Sequence, residues 1–186
     1  MRTFVAVDFT DAIKSQFGAL QDRLKPRCPQ LKWVSPQQMH LTLKFLGEID
    51  EQQVADIRKA LDVLAGQCRP MDITVEQIGT FRPAGPVNVI WVGLHDATGH
   101  LAQCHAACEK LLAPLGFPLE DRPFSPHLTL ARNNSPANSP QIRTALAAEP
   151  PFCAGTQSVA GVTFYHSTLT PRGPIYEVLS SHAFTA

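Results

Sequence analysis

No stretch of this chain approaches the roughly 18 uninterrupted apolar residues that a membrane-spanning helix needs. A recognisable export signal is also lacking. The opening MRTFVAVDFTDAIK holds only a short apolar run, ended by Asp8 and Asp11, and reads as a first strand. The expected compartment is therefore the cytoplasm. An excess of charge of either sign is missing too: 16 Lys and Arg are balanced by 16 Asp and Glu. That excludes the broad basic surface of a protein that coats long duplexes. It leaves room for one that grips a single phosphate, or one end of a strand, with a few cations. No C-x-x-C pair occurs, and Cys28, Cys68, Cys104, Cys108 and Cys153 are odd in number. A disulfide framework is not expected, and the five read as free thiols.

Four segments have helical periodicity. Ile13, Phe17, Leu20 and Leu24 recur at helix spacing before Pro26, and Val54, Ile57, Leu61 and Leu64 do the same. Asp50 stands where a cap is needed, with Gln53 three residues on. Leu101, Cys104, Cys108, Leu111 and Leu115 form a third stripe, closed by Gly116. Ser139-Pro140 reads as a cap followed by a first-turn proline of a short fourth helix.

Strand-like runs cover 2–9, 39–46, 71–79, 87–94, 127–132, 158–165 and 175–184. Turn signals separate them at Arg82–Pro86, Asn133–Pro136 and Pro171–Pro174. The order repeats: strand, helix, His-Leu-Thr-Leu strand, helix, strand, starting again near Val87. A Ser-Pro pair precedes each motif, as Ser35-Pro36 and Ser125-Pro126. An internal duplication is the simplest account. Two αβ lobes related by a pseudo-twofold axis would then set equivalent strands face to face across a cleft.

The chemistry rests on His40-Leu41-Thr42-Leu43 and His127-Leu128-Thr129-Leu130. Side chains alternate along a strand, so His40 and Thr42 share one face while Leu41 and Leu43 anchor the other. The second motif repeats this with His127 and Thr129. Each polar face thus offers an imidazole and a hydroxyl about 7 Å apart, twice the rise per residue. One H-x-T strand is usually a half-buried histidine beside an ordinary threonine. Two identical copies in equivalent places are much harder to explain by packing alone.

Histidine titrates at about pH 6.5, so one ring of a pair can be protonated while the other is neutral. That suits in-line attack at phosphorus. The neutral imidazole takes a proton from water and the protonated one gives a proton to the departing oxygen. Threonine hydroxyls can donate to the non-bridging oxygens. The symmetric motifs do not choose which histidine plays which part.

With these residues the chain resembles the two-histidine (2H) phosphoesterase superfamily. The contexts His40-Leu-Thr-Leu-Lys-Phe-Leu-Gly-Glu48 and Phe124-Ser-Pro-His-Leu-Thr-Leu-Ala-Arg132 are similar to its bacterial 2′-5′ RNA ligase branch, also described as RNA 2′,3′-cyclic phosphodiesterases. The likeness runs from Phe4-Val5-Ala6 to Tyr176-Glu177-Val178-Leu179. It implies a bilobal α+β fold over residues 1–186, with two antiparallel sheets lining a central cleft. It implies hydrolysis of a terminal RNA 2′,3′-cyclic phosphate to a 2′-phosphomonoester, with no metal or other cofactor. His40 matches the proton donor, His127 the proton acceptor, and Thr42 and Thr129 the phosphate-holding threonines. Expected partners are RNA 3′ ends bearing the cyclic phosphate, tRNA fragments among them, met by a monomer without a membrane. Reversible 2′-5′ joining of RNA, or RNA-end binding without catalysis, are the alternatives.

Other residues are weighed by position. Arg132 resembles the family's phosphate-contacting arginine, although strict alternation sets it opposite His127 unless the strand twists or ends there. Alternation puts Lys44 on the His40 face, as a candidate backbone contact, and Phe45 in the core with Leu41 and Leu43. Arg23, Lys25, Arg27 and Lys32 read as a solvated loop. His100, Cys104 and Cys108, with His105 adjacent, have a spacing that could line up metal ligands, but they continue an apolar stripe and read as core. Tyr165-His166-Ser167 resembles a family turn region and reads as structural.

Overall fold

The computed structural model describes residues 1–82, 84–171 and 173–186. The turns expected at Arg82–Pro86 and Pro171–Pro174 include Pro83 and Arg172, which lie outside the described residues. Nine strands and four α-helices run in the order β1 Arg2–Asp8, α1 Asp11–Leu24, β2 Lys32–Trp33, β3 His40–Glu48, α2 Glu51–Gln67, β4 Met71–Thr80, β5 Val89–His95, α3 His100–Leu112, β6 His127–Arg132, α4 Ser139–Ala147, β7 Cys153–Val159, β8 Gly161–Thr170 and β9 Gly173–Ala183 among the described residues. They form two antiparallel sheets, ordered β3-β1-β8-β9 and β2-β6-β5-β4-β7.

All four expected helices are present. Asp50 accepts from the Gln53 N–H at 2.9 Å, and Gln53 Oε1 accepts in return from the Asp50 N–H at 3.1 Å, closing a capping box on α2. The α4 cap differs from expectation. Asn138 precedes the helix, and Ser139 is its first residue. The Ser139 hydroxyl is engaged elsewhere: it accepts from the Val87 N–H at 3.0 Å and donates to the Pro136 carbonyl at 2.7 Å.

The sheet order shows how the repeated halves combine. In each half the first strand pairs with its motif strand, β1 with β3 and β5 with β6. The strand closing each repeat crosses over: β4 pairs with β5, and β8 with β1. α1 packs against β7 and α3 against β3, so these helices cross over as well. One continuous core results, with Phe17, Leu20, Ile57, Leu61, Ile73, Ile90, Leu128 and Phe164 fully buried. Each side chain of this kind contributes about 1.5–3 kcal/mol by leaving water.

Two strands escaped the pattern reading. β2 has only two residues and sits in the basic stretch read as a loop. The run expected at 158–165 is two strands, broken between Val159 and Gly161. β7 begins at Cys153, and its sequence, CAGTQSV, is too polar to announce a strand. Among the described residues no helix is long and apolar enough to cross a membrane.

Candidate active site

His40 and Thr42 lie half-buried on β3, with Leu41 and Leu43 buried between them; His127 and Thr129 repeat this on β6. The expected facing therefore holds within each motif. It breaks one residue later, in both copies alike. In the β1–β3 ladder Ala6 pairs with Thr42 and Val5 with Lys44, leaving Leu43 as an extra residue. In the β5–β6 ladder Trp91 pairs with Thr129 and Ile90 with Ala131, leaving Leu130 extra. Each extra residue is a β-bulge, which reverses the alternation beyond it.

The reversal corrects two expectations and resolves a third. Lys44 does not share the His40 face. It is buried, its Nζ donating to Glu109 Oε2 at 2.7 Å and to the Pro118 carbonyl, on the side where α3 packs. Phe45 is not in the core. It is 64% exposed and lies beside Phe4, whose ring stacks on His40 at 4.6 Å. Arg132, phased wrongly by strict alternation, is brought onto the exposed face that His127 and Thr129 occupy.

The His127 ring is held by a carbonyl two residues upstream. His127 Nδ1 lies 2.7 Å from the Ser125 carbonyl, and the Gln38 carbonyl, at the matching place in the first copy, favours the charged form of His40. A carbonyl only accepts, so His127 Nδ1 carries the proton and Nε2 presents its lone pair. The Ser-Pro pairs differ in role. Ser125-Pro126 abuts its histidine, whereas Ser35-Pro36 opens a 3-10 turn ending at Gln38.

The two rings sit in unlike surroundings. His40 is packed against Phe4, Tyr176 edge-on at 5.1 Å, and Tyr165 at 6.2 Å. Burial holds its imidazole below the ordinary histidine value. Asp8 and the Gln38 carbonyl oppose that shift, and Lys14 adds to it. Tyr165 donates to Asp8. Burial, reinforced by this bond to Asp8, raises the Tyr165 hydroxyl well above its usual range. Tyr165 and His166 therefore belong to strand β8 and not to a turn, and Tyr165 contributes to the His40 surroundings. His127 instead meets Phe81 edge-on at 4.7 Å and lines a 270 Å³ cavity with Trp91, Gln77 and His95.

The motif strands β3 and β6, from different sheets, approach within 8 Å between Cα atoms. Arg132, on β6, lies within electrostatic reach of the Tyr176 hydroxyl beside His40. These contacts bring the two motif strands together. Neither threonine hydroxyl has a hydrogen-bond partner among the described residues.

The remaining candidates are structural. Arg23 and Arg27 both pair with the buried carboxylate of Glu149, at 2.9 and 2.8 Å. Cys104 and Cys108 are buried in the α3 stripe, and Cys68 is buried as well. All five cysteines are free. Periodicity and motif spacing do not mark Phe4, Tyr176, Asp8, Phe81 or Trp91 as site residues. The register of Asp8 opposite His40 and of Trp91 opposite Thr129 was the signal that a pairing of strands could have supplied.

Two crossed-over sheets, each with one His-x-Thr pair on its motif strand, define a two-histidine phosphoesterase. The chain belongs to the LigT-like phosphoesterase family. The family model, described as LigT like Phosphoesterase, matches it twice, over residues 7–91 and 92–176, which is the duplication expected from the repeated order of elements. The RNA 2′,3′-cyclic phosphodiesterase of Methanocaldococcus jannaschii is 33% identical over 96% of this chain and 98% of its own length. That of Thermotoga maritima is 34% identical over 96% and 93%. A crystal structure of a Thermus thermophilus protein superposes with a TM-score of 0.79 at 32% identity, covering 99% of this chain and 98% of that one. Escherichia coli LigT complexed with 3′-AMP gives 0.75 at 26% identity, covering 100% and 98%.

Proposed function

We propose that this protein is an RNA 2′,3′-cyclic phosphodiesterase that opens the terminal ring to a 2′-phosphomonoester. The observation that carries the reading is the pair of His-x-Thr strands, each with its histidine and threonine on one face, on strands from the two sheets that approach each other. Relatives of that name at 33% and 34% identity over nearly the whole chain support the substrate.

In this reading His127 Nε2 takes a proton from water as its oxygen attacks phosphorus. The bond from phosphorus to the 3′ oxygen breaks, and His40 protonates that oxygen. The ring that lost a proton and the ring that gained one return to their starting states by exchange with solvent. Thr42 and Thr129 donate to the non-bridging oxygens, and Arg132 balances their charge. Their unpartnered hydroxyls suit that task, since no internal bond must break first. Phe45 offers a ring on which the terminal base can stack. Lys44 has no part in substrate binding.

Residues 1–186 act as one unit in this account, because each half supplies two strands to the sheet that holds the other's motif strand. We place the reaction in the cytoplasm, where the five free thiols are kept reduced, and assign it to a monomer. Incubating the purified protein with an oligonucleotide ending in a 2′,3′-cyclic phosphate, in excess chelator, tests the proposal. Multiple turnovers are expected. A single equivalent bound and not hydrolysed would reduce the protein to an RNA-end binding module.

A further inference from the structure

The cavity beside His127 is more elaborate than water delivery requires. Its floor is the Trp91 indole, on the strand position directly opposite Thr129. Gly79 makes room for that ring, and Gly93 for the Glu76 backbone carbonyl next to it. A Cβ on Gly79, opposite Trp91 in the β4–β5 ladder, would stand 2.4 Å from the indole. One on Gly93, opposite His127, would stand 2.9 Å from the Glu76 carbonyl and 3.5 Å from the indole. The ring thus lies across a surface stripped of side chains. Phe81, 49% exposed, tilts against it at 5.9 Å and meets His127 edge-on.

The rim carries strain. Gln77 is bulged out of β4 between Glu76 and Ile78 with a φ of 65°, the only non-glycine residue in the left-handed region among the described residues. Such a conformation costs about 1–3 kcal/mol and persists where the surroundings enforce it. Here the Gln77 N–H is donated to the Phe152 carbonyl at 2.9 Å, leaving its side chain exposed at the cavity. A glutamine amide both donates and accepts, and the Glu76 carboxylate beside it accepts. A flat aromatic floor with polar groups at its edge is how proteins hold an unpaired base. At 270 Å³ the space is near the lower end for small-ligand pockets, enough for a base.

We propose that this cavity is a second nucleobase site, in which a base other than that of the reacting nucleotide stacks on Trp91 and is read at its edge by Gln77 and Glu76. The identity of the ligand as RNA rests on the function proposed above. The base comes either from the preceding nucleotide of the same strand or from a separate strand whose 5′ end approaches phosphorus on His127's side. Both present the same chemistry to the cavity.

The chain has two tryptophans, so Trp33→Phe leaves Trp91 as the single indole reporter. Adenosine titrated into that variant should quench its emission saturably, and adding Gly79→Ala, which displaces the ring, should remove the response. In parallel, kcat/KM is compared for a dinucleotide and a mononucleotide, each ending in the cyclic phosphate. A dinucleotide preference of roughly tenfold to a hundredfold that collapses in Trp91→Leu assigns the base to the same strand. Quenching without a preference assigns it to a separate strand. Unchanged emission up to millimolar adenosine, with equal substrate ratios in wild type, Trp91→Leu and Gly79→Ala, overturns the proposal. Failure of the wild type to hydrolyse either substrate would contradict the proposed function instead, and the titration would still decide what the cavity binds.

Discussion

Phe45 and Arg132 occupy equivalent places, each five residues past its motif histidine, and each is turned onto the histidine face by a bulge at the leucine two residues before it. The duplicated halves have kept one backbone device and filled it with different chemistry. The first copy carries an apolar ring beside Phe4, which stacks on His40, and the second a cation within electrostatic reach of Tyr176. The bulge carbonyl on Leu130 is itself held, accepting from the Val34 N–H at 3.1 Å and from the Gln21 amide at 3.3 Å. The two replacements should therefore fail differently. Arg132→Ala should lower kcat/KM by about 10²–10³, as for a lost charge-stabilising donor. Phe45→Ala should raise KM by roughly tenfold, a lost stacking contact, with kcat little changed. Steady-state kinetics on a cyclic-phosphate oligonucleotide separates the two effects.

Lys44 should matter to stability and not to chemistry. Its partner Glu109 is buried and also accepts from the Glu120 N–H at 2.8 Å. Lys44→Ala would leave that carboxylate without its cation, at a cost of about 3–5 kcal/mol. In a domain of this size that lowers Tm by roughly 6–20 °C. Calorimetry checks the shift, and turnover per folded molecule at low temperature should stay near that of the wild type.

The pH profile should respond to Asp8. Burial lowers the His40 pKa and the Asp8 charge opposes this, so Asp8→Asn should lower it further. His40 acts as the acid, so its limb is the loss of rate as pH rises. That limb should therefore move to lower pH in the variant. The shift is read from kcat/KM, which reports the free enzyme, with both limbs belonging to the coupled histidine pair. An unmoved alkaline limb would separate Asp8 from the acid.

Each threonine hydroxyl should contribute through the transition state. Thr42→Val and Thr129→Val keep the strand shape while removing the donor. Turnover should fall by roughly one to three orders of magnitude, with KM changed less. Undiminished kcat in both would remove the threonines from the phosphate.

The sequence revealed the helices and the facing of the motifs because both depend on short-range periodicity. Asp50 and Gln53 announced their capping box, and the His-Leu-Thr-Leu alternation survives in the structure. What it concealed depends on pairing. Nothing in Leu43-Lys44-Phe45 says that Leu43 is skipped by the neighbouring strand, yet that one skip exchanges the positions of a lysine and a phenylalanine. The His40 surroundings were hidden for the same reason. Phe4, Tyr165 and Tyr176 come from three strands and meet only once β8 crosses to β1 and β9 to β8.

The most direct test is the cleavage rate of a cyclic-phosphate oligonucleotide by His40→Ala, His127→Ala and the double variant. If both rings act on one phosphorus, each single change should lower the rate by about 10²–10⁴. The double variant should then be far less impaired than the product of the two losses. A single variant that keeps wild-type turnover, or losses that multiply in full, would contradict the shared site.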